Sequence, residues 1–285
     1  MVKCCAAALC VFLGAAWIGA PSAALAGDEA GTTFRDLVRK YAKDGDGKTL
    51  AKKIGFSKNV EHVVALEYAV LLLAPDGKKA PVPDIKTHQF RIGDRIHVKI
   101  QPVGNSYIYI LHEGASGQRL CLLPTSEEKP PFVKAGESVV LPEDGFFEFT
   151  EPPGNEQLLV VATEKPVSDL AALANVVFHK PDDQLTAQEK EIKNSIRAKV
   201  QERLQSIREQ QAGATTYRGL LNDDALEEIH REVKQRGASE TVIEEPVAAG
   251  RGSAFAMVAS TKADAQPTLF VTIPLRSVAV KSGRP

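Results

Sequence analysis

Asp94-Arg-Ile-His-Val-Lys-Ile-Gln101 is the stretch on which the fold turns. Ile96, Val98 and Ile100 point one way and Arg95, His97 and Lys99 the other, the period-two pattern of a half-buried strand. After a turn at residues 102–105 the alternation returns at 106–111, where Tyr107 and Tyr109 oppose Ile108 and Ile110. Upstream, residues 63–74 form the most apolar run, closed by the tight turn Pro75-Asp76-Gly77. Its length suits a buried strand or a short helix followed by a strand, and we read a strand over about 66–73. Downstream, strands are predicted at 119–123, 138–141, 146–150 and 157–163, separated by a Gly-rich loop at 113–117 and by Pro/Gly clusters at 142–145 and 152–154. Short strands at this spacing, with no helices between them, imply antiparallel pairing in a sandwich or barrel.

Helical periodicity flanks this block. Phe34, Leu37, Val38 and Tyr41 recur at helical spacing in residues 33–43, Gly45 and Gly47 break the pattern, and a second short helix is predicted at 49–54. After Pro166 a stripe of Leu185, Ile192, Ile196, Val200, Leu204 and Ile207 defines a long one-faced helix. A shorter helix follows, capped by Asn222 or Asp223, striped by Leu226, Ile229 and Val233 and ended by Gly237. The two stripes are expected to face each other as a hairpin docked on the sheet. Residues 238–252 read as a linker, and 254–259 and 269–273 as two more strands, with Pro274 marking an edge. Two strands alone bury no core, so these should rejoin the earlier ones. The fold class is therefore mainly β with α additions. It is an antiparallel β-sandwich, an immunoglobulin-like arrangement being among those admitted, with an inserted helical hairpin and a short helical N-terminal segment. The expected organisation is a signal peptide at 1–26, a helical segment at 27–59, a sandwich domain at 60–167, a helical insertion at 168–240, and a linker with rejoining strands at 241–285.

The opening residues carry a basic start (Lys3), an apolar run to Ile18 and the small-residue end Ala24-Leu25-Ala26. This order predicts a secretory signal cleaved before Gly27, hence a periplasmic or secreted protein. A retained membrane anchor would need ~20 apolar residues, and Gly14, Gly19, Pro21 and Ser22 interrupt the run. No later stretch approaches a membrane span. Cleavage leaves 259 residues, 34 basic against 36 acidic, with no basic block, which argues against a nucleic-acid surface. It also removes Cys4, Cys5 and Cys10, so no intramolecular disulfide is expected, and Gly27 at the cleavage point leaves no cysteine for a lipid anchor. Cys121, in the apolar stretch 120–123, reads as a buried structural thiol.

Catalytic and ligand motifs were weighed and set aside. Residues 42–49, Ala-Lys-Asp-Gly-Asp-Gly-Lys-Thr, fit a loose phosphate-loop pattern, but a charged amphipathic stretch precedes them where a buried strand is required, so a solvated turn is the better reading. Asp44 and Asp46 do not make a calcium loop, because Lys48 takes the third position and no glutamate closes it. Gly114-Ala-Ser116-Gly117 falls one residue short of a nucleophile elbow and reads as a hairpin loop. The six histidines show no metal spacing and each reads as a surface residue; His97 and His112 could approach each other across a hairpin. Tyr107 and Tyr109 are the best candidates for a sugar platform, since Trp17 leaves with the signal, although in strands such rings more often pack. No catalytic, cofactor-binding or metal-ligating residue is predicted.

The ordered motifs Phe90-Arg-Ile-Gly93-Asp94-Arg95, Tyr107-Ile-Tyr109, Gly114-Ala-Ser-Gly117, Leu122-Leu123-Pro124, Ala135-Gly136-Glu137, Leu141-Pro142 and Phe149-Thr-Glu-Pro-Pro153-Gly154 resemble a bacterial family. It is the domain-of-unknown-function family numbered 4384, and the resemblance spans roughly residues 66–166. The family usually shows Leu-Phe-Pro where this chain has Leu-Leu-Pro, a volume-tolerant exchange. The resemblance implies an extracytoplasmic β-sandwich-like module, often found beside peptidase, kinase or other signalling domains, and it supplies no catalytic residues. The functional expectation is an exported non-enzymatic module that binds a protein partner in the cell envelope. A glycan- or small-ligand-binding accessory protein is the alternative, and an enzyme of unrecognised type the second.

Overall fold

The computed structural model describes residues 60–115, 117–125, 131–218, 240–245 and 252–279, together with 40, 47–49 and 231. The strands are β1 (His62–Leu73), β2 (Lys79–Pro81), β3 (Gln89–Arg91), β4 (Arg95–Pro102), β5 (Ser106–Glu113), β6 (Arg119–Leu123), β7 (Phe132–Val133) and β8 (Val139–Leu141). They continue with β9 (Phe147–Glu148), β10 (Asn155–Thr163), β11 (Thr215–Arg218), β12 (Glu240–Glu245), β13 (Ala254–Ser260) and β14 (Thr268–Val278). Two short helices, α1 (Ser168–Ala171) and α2 (Val176–His179), and one long helix, α3 (Ala187–Ala212), lie between β10 and β11.

The strands form two sheets, a sandwich and not a barrel. Sheet 1 runs β11-β12-β13-β1-β4-β8, with β2 on β1 and β9 on β4; sheet 2 runs β3-β14-β10-β5-β6, with β7 on β5. Pairing is antiparallel except for β11 with β12 and β3 with β14. The C-terminal strands lie inside the sheets: β13 pairs β1 from His62↔Ser260 to Tyr68↔Ala254, and β14 pairs β10 along its whole length. The β3 pairing covers only Arg276–Val278, so Pro274 is flanked by β10 alone and the missing N–H breaks no ladder.

Alternation explains the core. Val64, Leu66 and Val70 of β1, Ile96, Val98 and Ile100 of β4, Ile108 and Ile110 of β5, and Leu158 and Val160 of β10 meet between the sheets. Residues of opposite parity build a second core outside sheet 2, where Tyr109, Leu111, Leu159, Val161 and Phe270 meet Leu170, Leu173, Phe178 and the stripe of α3. Sheet 2 is thus apolar on both faces, and β10 reads as a continuous apolar run from Leu158 to Ala162. The outer face of sheet 1 is buried too, at Ala65, Ile243, Phe255, Met257 and His97.

Thr186 caps α3, its hydroxyl accepting from the Glu189 N–H at 3.2 Å while the Glu189 carboxylate accepts from the Thr186 N–H at 2.9 Å. Ile196, Val200, Leu204 and Ile207 are all at least nine-tenths buried, each stabilising the docked helix by about 1.5–3 kcal/mol as an upper bound.

Several expectations are corrected. The stripe of α3 packs against sheet 2, and the expected sister helix, save Arg231, lies outside the described residues, as do the predicted helix at 33–43 apart from Lys40 and that at 49–54 apart from Thr49. Ile192 is 41% exposed and Lys193 is buried in its place, its ammonium standing 5.8 Å from the Phe178 ring centre and reaching the Lys180 carbonyl and, at 3.0 Å, Asp182. The supposed linker contains β12, where Thr241, Val242 and Ile243 are buried between β11 and β13. Gly47, Lys48 and Thr49 are helical and not a turn, and a Cβ on Gly47 would stand 3.4 Å from Val63, in ordinary contact with β1. The apolar run from residue 63 is one strand with no helix at its start.

Candidate functional site

The sheets part where β4 and β9 face β6, and a cavity of about 270 Å³ opens there. Ile96, Val98, Leu120, Leu122, Phe147 and Leu158 supply apolar walls. Phe146, 39% exposed, stands at the rim with the Arg95 guanidinium 4.1 Å from its ring centre. The same guanidinium donates from Nε to Glu148 at 2.8 Å, a cross-strand pair between β4 and β9.

The polar element of the cavity is a pair. His112 continues the inward parity of Ile108 and Ile110 on β5, and Glu156 that of Leu158 and Val160 on β10, so alternation aims both side chains between the sheets. His112 Nε2 and Glu156 Oε2 lie 2.7 Å apart. Both groups are mostly buried, 24% and 14% exposed. The arrangement can hold an apolar group of limited size and offers it one hydrogen-bonding edge.

The residues singled out from the sequence fall elsewhere or behave differently. His97 and His112 are not brought together: β4 and β5 belong to different sheets, and His97 has the outward parity of β4. His97 is not a surface residue either, being 6% exposed, and among the described residues His88 Nε2, His97 Nδ1 and His179 Nε2 are buried without a hydrogen-bond partner. Burial holds the His179 pKa below its usual value, with backbone groups of Cys121 and Leu173 opposing. His230 lies outside the described residues. Tyr109 is fully buried, its hydroxyl accepting from the Val167 N–H at 3.0 Å, and Tyr107 packs its ring 5.3 Å from that of the exposed Phe132. Cys121 is buried, with its pKa pushed up to about 12 by desolvation, and its Sγ donates to the Pro124 carbonyl at 3.4 Å. Gly114 and Gly117 lie in the β5–β6 hairpin loop, the Gly117 N–H donating to the Gly114 carbonyl at 2.8 Å and Gly117 taking φ +77°, while Ser116 lies outside the described residues. Asp44 and Asp46 lie outside the described residues. No group of three or more His, Cys, Asp or Glu side chains among the described residues is placed to hold a metal, and no described helix is long and apolar enough to cross a membrane.

The sequence had offered a signal for the missed pair, a histidine and a glutamate at inward positions of two strands. What it did not offer was the adjacency of β5 and β10 in one sheet. No curated protein and no solved structure matches the chain. Residues 89–166, which carry every wall of the cavity except Leu275, match the family described as a domain of unknown function (DUF4384).

Proposed function

We propose that this chain is an exported, non-enzymatic binding module of the cell envelope, and that the cleft between β4, β9 and β6 receives an apolar side chain from a protein partner. The observation that supports this reading is the cleft itself: apolar walls around about 270 Å³, below the ~300–1,000 Å³ usual for small-molecule pockets. That volume suits one large side chain inserted as an anchor. Its rim carries an exposed aromatic and an arginine, residue types enriched where partners bind. His112 and Glu156 are satisfied by each other, which suits a wall that orients an occupant.

The experiment places a photo-crosslinking phenylalanine at position 146 in intact cells, with and without Leu122→Trp to fill the cleft. A reproducible protein adduct that disappears with the tryptophan supports the reading. Absence of protein adducts, or adducts indifferent to the tryptophan, overturns it. The export claim is tested separately by N-terminal sequencing, which should begin at Gly27 and fails if the mature protein begins at Met1. The small-ligand alternative gains ground if a neutral aromatic probe raises the melting temperature of the wild type but not of Leu122→Trp.

A further inference from the structure

His62 opens β1, and both its ring nitrogens face oxygens that only accept. Nδ1 lies 2.7 Å from a Glu164 carboxylate oxygen and Nε2 lies 2.9 Å from the Ala263 carbonyl oxygen. A neutral imidazole carries one N–H and can satisfy one of these; the imidazolium carries two and satisfies both. The other Glu164 oxygen accepts from the Val63 N–H at 3.2 Å, so the carboxylate is fixed to β1 from both oxygens. Three segments distant in sequence therefore meet on one ring: the start of β1, the residue after β10, and the loop between β13 and β14.

We propose that His62 is a proton-dependent clasp that fastens the β13–β14 loop, residues 261–267, to β1 and β10, and that this loop is released when the ring gives up its second proton. The charged groups around the ring favour the clasped form on balance. The Ala263 carbonyl and then Glu164 hold the His62 pKa above the usual 6.5, against burial and the positive charge of Lys48. Lys48 is itself 3.9 Å from Glu61, which tempers its effect. Because the pKa is raised in the folded chain, the clasp is fully closed below about pH 6.5 and loosens as pH rises through the raised value. A module outside the cytoplasm would meet such a change directly.

The loop carries its own reporters, since the Ala265 N–H donates to the Lys262 carbonyl at 3.2 Å and the Lys262 N–H to the Ser260 hydroxyl at 3.3 Å. The test combines histidine nitrogen NMR with hydrogen exchange of these two amides across pH 5.5–9, on the purified protein, corrected for intrinsic exchange. His62 should hold protons on both nitrogens at and below its usual titration point. The two amides should then lose protection, about tenfold for each pKa unit separating clasped from free imidazole. Glu164→Gln should bring the His62 titration back toward 6.5 and shrink the pH-dependent part of the exchange, and His62→Gln should abolish it. A single neutral tautomer at pH 6, or loop protection that stays flat through the His62 titration, overturns the proposal, and Glu164→Gln alone decides it if His62→Gln does not fold.

Discussion

β10 has a histidine-binding glutamate at each end, Glu156 at its start and Glu164 just past its finish, about 26 Å apart along an extended strand. The heavy-atom separations are the same, 2.7 Å, yet the two sites have different tasks. His112 has one acceptor and requires one ring N–H; His62 has two and requires both. The first pair lines a cavity, whereas the second joins the start of β1, the residue after β10 and the β13–β14 loop at one ring. Counting the acceptors around an imidazole thus says more about its role than the distance to its nearest carboxylate.

The largest effect that separates the two ends should come from Leu158→Ala, which removes a core side chain from the cavity wall. We expect a loss of about 2–4 kcal/mol in urea unfolding, together with a wider cleft that binds larger aromatic probes. Next in size is Glu164→Ala at the other end: about 1–2 kcal/mol at pH 5.5, where the imidazolium loses its charged partner, and markedly less once pH has risen through the raised His62 value and the second proton is gone. Glu156→Gln keeps shape and hydrogen bonding, so its cost should stay under about 1 kcal/mol, and a larger penalty would mean that the two ends are more alike than their geometry implies.

A subtler contrast sets His62 against His179. Burial depresses the His179 pKa, so its contribution to stability is present above about pH 6.5 and lost as pH falls through the lowered value, opposite in sign to that of His62. His179→Leu should flatten the acid limb of the stability curve and leave the alkaline limb, which belongs to His62, in place. The smallest effect concerns Cys121: with its pKa near 12, the native thiol should resist iodoacetamide at pH 8 and react only on unfolding.

Much of this architecture was legible in residue alternation, for a reason visible in β4 and β5. A strand with one face in the core writes its environment every second residue, and Ile96 to Ile100 and Ile108 to Ile110 do so plainly. β2, β7 and β9, at two or three residues, are too short to display any period. β12 was hidden by Glu240, Glu244 and Glu245, which gave its three buried residues the look of a charged linker. The exchange of Ile192 for Lys193 on the buried stripe was beyond a helical wheel, because only the tertiary partners Phe178 and Asp182 receive the lysine ammonium there. The site was legible in its parts and not in its pairing: His112 and Glu156 each kept inward parity, but 44 residues separate them.

The position of β13 and β14 bears on how the molecule is made. β1 and β10 lie centrally in their sheets, and each acquires a long neighbour only when the last described strands are synthesised. Until then a nascent chain presents unsatisfied edges on its most apolar segments, which slows closure and invites aggregation. Late closure ties completion of both sheets to the arrival of the last described strands, so a chain truncated before β13 would lack the long partners of both β1 and β10.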